Sequence, residues 1–259
     1  MPRQDLFDLS GRTALVTGGS RGLGLQIAEA LGAYGARVLL AARKADELAQ
    51  AQAQLRSAGI EADWVAADAA RHEEAMALAQ TAISRLGHVD ILVNNAGTTW
   101  GAPAESHPLE AWDKVFALNV RGLFLLTQAI AAGSMIPRRY GRIINVASTA
   151  GLRGNPPGSM QTVAYNTSKG AVVNLTRTLA GEWGRHGITV NALAPGFFPS
   201  RMTRRIIQHL GEARLIEGTP LQRLGDDEDL KGAALLFASR AGKHITGQVL
   251  AVDGGSSAV

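Results

Sequence analysis

Tyr165 and Lys169 are the residues whose types and spacing most directly suggest proton-transfer chemistry. On a helix, a spacing of four residues places both side chains on one face. A tyrosine hydroxyl has a pKa of about 10, and a neighbouring ammonium group lowers it by favouring the phenolate. The pair could therefore donate or accept a proton at ordinary pH, although such a pair also occurs by chance on surface helices.

Other polar motifs precede this pair in an ordered series. Ser148 follows an apolar run, Asn119 lies inside a helical stretch, and residues 94–97 (Asn-Asn-Ala-Gly) end another apolar run. A serine hydroxyl can donate a hydrogen bond to an oxygen that gains negative charge, whereas Asn119 could equally bond the backbone of its own helix. The ordered series argues against a chance pairing of Tyr165 with Lys169.

A glycine-rich loop over residues 17–24 joins a predicted strand to a predicted helix. Glycines allow a tight turn and a close backbone approach to a pyrophosphate, and a helix N-terminus offers free N–H groups and a positive dipole end. The alternative is a purely structural turn. The predicted cofactor-binding residues of the loop are Gly18, Ser20, Arg21, Gly22, Leu23 and Gly24.

The end of the second predicted strand bears on the kind of dinucleotide. Enzymes that bind NAD place an acidic residue there for the ribose 2′-hydroxyl, but this strand is followed by Arg43 and Lys44. A guanidinium group can bind a 2′-phosphate with two hydrogen bonds, and Arg21 could contact the same phosphate. The pattern favours NADP(H) over NAD, with two solvent-facing arginines as the alternative.

Alternating strands and helices would position these motifs. The strand-like runs are near-continuously apolar, as buried parallel strands are. We predict an α/β fold: one Rossmann domain over residues 1–259, with a doubly wound, seven-stranded parallel sheet that binds ligands at its carboxyl edge. The predicted strands are 12–17, 37–42, 62–67, 89–94, 142–147, 188–193 and 248–252, and the predicted helices are 22–34, 45–58, 72–86, 109–134 and 164–186.

Composition excludes several classes of site. The chain has no cysteine, so disulfides and thiolate chemistry are excluded, and its six histidines show no ligand spacing that predicts a metal. A net charge of +4 comes from scattered basic residues, which does not suggest nucleic-acid binding. A polar N-terminus and the absence of a long uninterrupted apolar run predict neither a secretion signal nor a membrane span, and we expect a cytoplasmic protein.

Together these motifs resemble the short-chain dehydrogenase/reductase family over essentially the whole chain, from the glycine loop to Val252-Asp253-Gly254-Gly255. The resemblance implies that Tyr165 transfers the proton of the substrate oxygen, while Lys169 lowers the Tyr165 pKa and holds the nicotinamide ribose. It implies that Ser148 bonds the substrate oxygen and that Asn119 supports a water chain to Lys169. Its further implied cofactor contacts are Asp68 with Ala69 near the adenine, Asn95, Ala96 and Gly97 near the adenosine ribose, and Pro195, Gly196 and Phe198 near the nicotinamide.

Two segments depart from the family pattern. Residues 152–162 lengthen the interval between Ser148 and Tyr165, and this Gly/Pro-rich stretch is expected to lie over the active site or to be an inert insertion. After Gly196, the residues Phe197, Phe198 and Met202 suggest an apolar lid. Ser200 stands near a position where the family often has threonine. Arg201, Arg204 and Arg205 are expected either to meet a carboxylate, a phosphopantetheine group or a carrier-protein surface, or to form a solvated helix face.

These features leave the substrate open. The chain is similar both to 3-oxoacyl reductases, including the rhamnolipid type, and to gluconate 5-dehydrogenase-like members. The apolar lid favours a 3-oxoacyl thioester or related ketone, with a polyol or sugar acid as the alternative. A non-catalytic NADP-binding regulator is a third hypothesis, disfavoured because Tyr165 and Lys169 are both present. The family resemblance also implies a homotetramer, with a dimer as the alternative.

Overall fold

The computed structural model describes residues 6–155, 158–204, 207–208 and 211–259. In this part of the chain, seven parallel strands form one sheet in the order β3-β2-β1-β4-β5-β6-β7. The predicted α/β class and doubly wound sheet are thereby confirmed. The strands are β1 Thr13–Thr17, β2 Arg37–Ala42, β3 Ala62–Ala66, β4 Ile91–Asn94, β5 Gly141–Val146, β6 Ile188–Pro195 and β7 Val249–Val252.

Both faces of the sheet are buried, which explains the continuous apolar runs. Ala14 and Val16 of β1 pack on one face, whereas Leu15 packs on the other, because successive side chains of a strand point to opposite faces. Helices α1, α2 and α7 cover the first face, and α3, α4 and α5 cover the second. The helices are α1 Gly22–Ala33, α2 Ala45–Ser57, α3 His72–Leu86, α4 Leu109–Arg138, α5 Val163–Trp183, α6 Glu212–Glu217 and α7 Lys231–Ala238.

Helix α4 is longer and less regular than the sequence indicates. It was expected to end at residue 134 but continues through Pro137 to Arg138, with π-helical stretches at Ala117–Gly122 and Ala131–Met135. By length and composition alone, it is long and apolar enough to cross a membrane. One side of the helix instead packs inside the fold, where Leu126, Ile130 and Met135 are buried, as the apolar side of a core helix is.

Sequence patterns missed α6 and α7. Helix α7 has the sequence KGAALLFA, whose apolar residues are too continuous to show helical periodicity. Ala234, Leu235, Phe237 and Ala238 are buried there. Helix α7 therefore completes one layer of the core although its pattern does not predict it.

The amino edge of the sheet holds a buried charge that we call the Asp90 cluster (Arg12, His88, Asp90 and Arg138). The Asp90 carboxylate lies 3.7 Å from Arg12 Nη1, 3.2 Å from His88 Nε2 and 3.4 Å from Arg138 Nη2, and it accepts a hydrogen bond from the backbone N–H of Thr13. The cluster joins the starts of β1 and β4 to the end of α4.

Candidate active site

The glycine loop forms a cradle at the carboxyl end of β1. Gly18 and Gly22 have φ angles of +63° and +53°, in the left-handed region that favours glycine. A Cβ on Gly18 would lie 2.7 Å from Asn95 Nδ2, and one on Gly24 would lie 2.3 Å from the Gly18 carbonyl oxygen. No described side chain caps the N-terminus of α1, so its amides remain for an anion. The cradle therefore fits a pyrophosphate.

Asn95 braces this cradle from β4. Its side-chain Nδ2 donates to the carbonyl oxygens of Thr17 and Gly18 at 3.0 and 3.1 Å. Thr17 Oγ1 in turn accepts from the backbone N–H groups of Asn95 and Ala96 at 3.0 and 3.1 Å. Asn95 thus positions the loop as well as lining the adjacent cavity, and the bracing by Thr17 was not anticipated.

One long cavity of about 720 Å³ connects the cradle to Tyr165 and Lys169. Gly24 is the predicted cofactor residue that does not line it, because Gly24 packs against Gly18 where helix and strand meet. Asn119 also lies behind the cavity wall. The predicted residues that do line it are Gly18, Ser20, Arg21, Gly22, Leu23, Arg43, Asp68, Ala69, Asn95, Ala96, Gly97, Ser148, Tyr165, Lys169, Pro195, Gly196 and Phe198.

Helix α5 carries Tyr165 and Lys169 on one face, as their spacing indicates. Lys169 Nζ lies 5.7 Å from the centre of the Tyr165 ring and donates a 2.6 Å hydrogen bond to the Val146 carbonyl oxygen. Burial lowers the pKa of Lys169 to about 8. Burial also raises the pKa of Tyr165, although its hydrogen bond with Ser148 acts in the opposite direction. The net direction is upward because the loss of solvation outweighs the hydrogen bond with Ser148, so the expected lowering of the Tyr165 pKa is not found.

Ser148 is fixed by a tight turn at the end of β5. Its Oγ accepts a 3.2 Å hydrogen bond from the Ala150 N–H, closing the 3₁₀ turn Thr149–Gly151. A Cβ on Gly151 would lie 2.5 Å from the Lys169 carbonyl carbon. Because Gly151 has no side chain, this turn packs directly on α5 and brings Ser148 to Tyr165.

Asn119 lies on the first π-helical stretch of α4. Its Nδ2 donates to the Thr98 carbonyl oxygen at 2.9 Å and to Ser168 Oγ at 3.0 Å, and its Oδ1 accepts from the Thr98 N–H at 2.9 Å. Asn119 thereby ties the segment after β4 to α5. A Cβ on Gly97 would lie 3.5 Å from Asn119 Oδ1 and 3.7 Å from Lys169 Nζ, so Gly97 is next to both polar groups.

A second cavity, of about 280 Å³, adjoins the first at Ser148 and Tyr165. The predicted loop contributes Arg153, Asn155 and Met160 to its wall, which supports the expectation that this loop covers the site; Pro156 and Pro157 lie outside the described residues. Asn155 Oδ1 accepts from Asn166 Nδ2 at 3.0 Å. The loop is thus fastened to the residue after Tyr165.

The expected apolar lid needs one correction. Phe197 and Met202 line the second cavity, but Phe198 is 4% exposed and belongs to the core. Its ring fills the space beside Gly225, where a Cβ would lie 2.5 Å away. Phe198 therefore supports the cofactor cavity from behind and is not part of a lid.

Some wall residues of the second cavity were missed by the sequence analysis. Arg214 and Leu215 come from α6, and Ser256 follows β7. Because α6 has no clear periodic pattern, nothing in the sequence connected it with the site. Thr203 lines both cavities and its Oγ1 lies 2.9 Å from Ser200 Oγ, so the two hydroxyls lie together at the wall of the long cavity.

Basic side chains gather at the far end of the long cavity. Arg21, Lys44 and Arg201 all form ion pairs with Glu47 in the first turn of α2, and Arg43 lines the same region. The hydrogen bond from Lys44, together with the positive charge of Arg21 and Arg201, holds the pKa of Glu47 below its usual value. Arg205 and His209 lie outside the described residues. In the part of the chain that the structure describes, no group of three or more potential metal ligands occurs.

Comparisons with known proteins identify the family of the chain. The family model described as short chain dehydrogenase matches residues 12–211, and the chain belongs to this family of oxidoreductases. Gluconate 5-dehydrogenase of Gluconobacter oxydans is 42% identical over 257 residues, with 98% of each chain covered. The rhamnolipids biosynthesis 3-oxoacyl-[acyl-carrier-protein] reductase of Pseudomonas aeruginosa is 40% identical, covering 96% of this chain and 97% of that protein.

A solved structure is similar over nearly the same length. It is a gluconate 5-dehydrogenase from Burkholderia cenocepacia J2315 in complex with NADP and tartrate. It has a TM-score of 0.92 and 36% sequence identity, and 98% of each chain is covered.

Proposed function

We propose that this oxidoreductase uses NADP(H) to reduce a 3-oxoacyl thioester or related ketone to the alcohol. The observation that carries the proposal is the position of Ser148 and Tyr165, which line both the long cavity and the second cavity. A cofactor in the first and a carbonyl compound in the second would meet at these two side chains. The junction is therefore where a hydride and a proton can reach the same carbonyl group.

Each side chain at the junction has a distinct part in the proposed reaction. The bound cofactor supplies the hydride that the carbonyl carbon accepts. Tyr165 donates its hydroxyl proton to the carbonyl oxygen, which becomes the alcohol, and Ser148 donates a hydrogen bond to the oxygen as its negative charge grows. The Lys169 ammonium group favours the Tyr165 phenolate that remains. Asn119, which like Lys169 has a polar atom beside Gly97, would hold the water chain that returns the proton.

The cofactor assignment is supported by the charge at the far end of the long cavity. Arg43 makes no ion pair with any described residue, so it is free to bind a 2′-phosphate. No acidic residue directly follows β2, and the similar Burkholderia cenocepacia structure contains NADP. Arg43→Ala should weaken binding of NADPH much more than binding of NADH in a fluorescence titration. Equal losses of affinity for NADPH and NADH would show that Arg43 does not bind the 2′-phosphate.

The substrate assignment rests on the wall of the second cavity. Met160, Phe197, Met202 and Leu215 give this wall apolar surface, which suits an acyl chain better than a hydroxylated one. The alternative, a polyol or sugar-acid dehydrogenase, has its own support. Two cations, Arg153 and Arg214, line the same cavity and could pair with a carboxylate, and a gluconate 5-dehydrogenase is among the similar proteins.

A substrate panel separates these candidates. NADPH oxidation is followed by absorbance with 3-oxoacyl thioesters, simple ketones, 5-keto-D-gluconate and other sugar acids, each also with NADH. Fastest turnover of a thioester or apolar ketone with NADPH supports the proposal. Fastest turnover of a keto sugar acid transfers the assignment to the alternative, whereas tight NADPH binding without turnover across the panel contradicts both.

Assembly and location remain predictions. We propose a homotetramer, with a dimer as the alternative, in the cytoplasm. Leu109 and Phe124 of α4 and Leu250 of β7 are exposed large apolar residues, and they lie on the two elements through which the family resemblance implies that subunits pair. Light scattering on the purified protein would give the number of subunits.

A further inference from the structure

Three separate segments converge on one carboxylate at the far end of the cofactor cavity. Arg21 comes from the glycine loop, Lys44 follows β2 and Arg201 follows β6. Lys44 Nζ lies 3.1 Å and Arg201 Nη1 3.4 Å from Glu47 Oε1, while Arg21 Nη1 contacts Glu47 Oε2. The Glu47 side chain is only 20% exposed, whereas its cationic partners are at least half exposed. Glu47 is thus the inner anion of the group.

The charges of this group do not balance among the described residues. Arg21, Arg43, Lys44 and Arg201 carry four positive charges, against one negative charge on the Glu47 carboxylate that three of them contact and one on Asp68, which also lines the cavity. A phosphate monoester carries close to two negative charges at neutral pH. It also offers three oxygens, which suits several cations better than two carboxylate oxygens do.

We propose that Arg201 is a further contact for the cofactor's 2′-phosphate and that Glu47 is an internal anion competing with that phosphate for the same cations. This inference rests on the proposed use of NADP(H). The sequence suggested a carboxylate, a phosphopantetheine group, a carrier protein or solvent as the partner of Arg201, whereas this proposal assigns it the cofactor's 2′-phosphate. It also makes Glu47 a residue that weakens the preference for NADP(H), because a carboxylate beside a phosphate repels it.

The probe that tests this is 2′,5′-ADP, which carries the 2′-phosphate but no nicotinamide, with AMP as the probe that lacks this phosphate. Isothermal titration calorimetry gives the Kd of each probe for the wild type and for variants. Arg201→Met should weaken 2′,5′-ADP roughly three- to fivefold, as loss of an exposed charge contact does. Glu47→Gln should tighten it by a similar factor. Neither substitution should change the Kd of AMP.

Arg204→Met is the matched control, because Arg204 is an exposed arginine of the same segment and does not line the cavity. Equal Kd values for the Arg201 and Arg204 variants, or weaker 2′,5′-ADP binding by Glu47→Gln, would overturn the inference. The proposed function fails differently: the wild type would then bind AMP as tightly as 2′,5′-ADP, and Arg43→Ala would change neither.

Discussion

At the amino edge of the sheet, the fully buried Asp90 carboxylate lies within 3.7 Å of two guanidinium groups and an imidazole. At the carboxyl edge, the Lys169 side chain is almost as buried, yet among the described residues it forms no ion pair and donates to a backbone carbonyl. A buried charge without a counter-ion is costly. The buried charge at the first edge is therefore paired, whereas the second edge keeps an uncompensated charge where the proposed reaction would use one.

Substitution of Tyr165, at the carboxyl edge of the sheet, should have the largest effect on turnover. Tyr165→Phe removes the proposed proton donor and keeps the ring, so kcat should fall about 10³-fold while the melting temperature and NADPH binding stay near those of the wild type. Steady-state kinetics gives kcat, thermal unfolding gives the melting temperature, and a fluorescence titration gives the Kd of NADPH. The control is Tyr34→Phe, at an exposed tyrosine away from the cavities. Substantial residual turnover would show that Tyr165 is not the proton donor.

The Asp90 cluster should show the reverse pattern. Asp90→Ala removes the carboxylate shared by the partly exposed Arg12 and Arg138 and leaves the buried Thr13 N–H without this acceptor, so the free energy of unfolding should fall by about 2 kcal/mol with kcat per folded molecule unchanged. Urea unfolding gives this value. Asp63→Ala breaks the exposed ion pair with Arg85 and should cost less than about 1 kcal/mol. If both variants lose the same free energy of unfolding, the buried Asp90 carboxylate stabilises the fold no more than the exposed Asp63 does.

Lys169→Met tests whether the uncompensated charge has a cost. Lys169 has a pKa of about 8 in the folded state, below its ordinary value of 10.5, so the fold disfavours its charged form. The resulting destabilisation is fully present below pH 8 and disappears as pH rises toward 10.5. After allowance for the lost hydrogen bond to Val146, the variant should be more stable than the wild type at pH 7 by about 1 kcal/mol. Urea unfolding at pH 7 measures this difference, and a clear loss of stability would contradict the comparison.

The pH dependence should show the smallest effect. The raised pKa of Tyr165 keeps its proton through neutral pH, whereas Lys169 loses its charge as pH rises through about 8. The kcat for carbonyl reduction at saturating NADPH should therefore be level near pH 7 and decline a few-fold above pH 8. In Lys169→Arg, the decline should move to higher pH, because arginine stays charged. If the pH profile of Lys169→Arg is the same as that of the wild type, loss of the Lys169 charge does not cause the decline.

Much of the fold could be predicted because buried parallel strands have continuous apolar runs. The boundaries of β2 and α3 were predicted to the residue. Helices α6 and α7 were not, since short or evenly apolar segments have no periodicity to detect. The two π-helical stretches of α4 also leave no simple sequence pattern, although one of them carries Asn119.

The site was predictable where its residues follow motif spacing and not where it depends on distant contacts. Tyr165 and Lys169 share a face because they are four residues apart. Arg201 meets Glu47 across 154 positions, which one sequence cannot show. The core position of Phe198 depends on the missing side chain of Gly225, and the Tyr165 pKa depends on burial, so both expectations failed for reasons that lie in tertiary packing.

The most direct test of the account is hydride transfer itself. NADPH carrying deuterium at either face of the transferring carbon is mixed with the substrate selected from the panel, and the alcohol is analysed by mass spectrometry. The account predicts one deuterium on the carbinol carbon from one of the two faces, with formation of this product nearly abolished in Tyr165→Phe. An alcohol without deuterium from either face, or one formed equally fast by Tyr165→Phe, would contradict it.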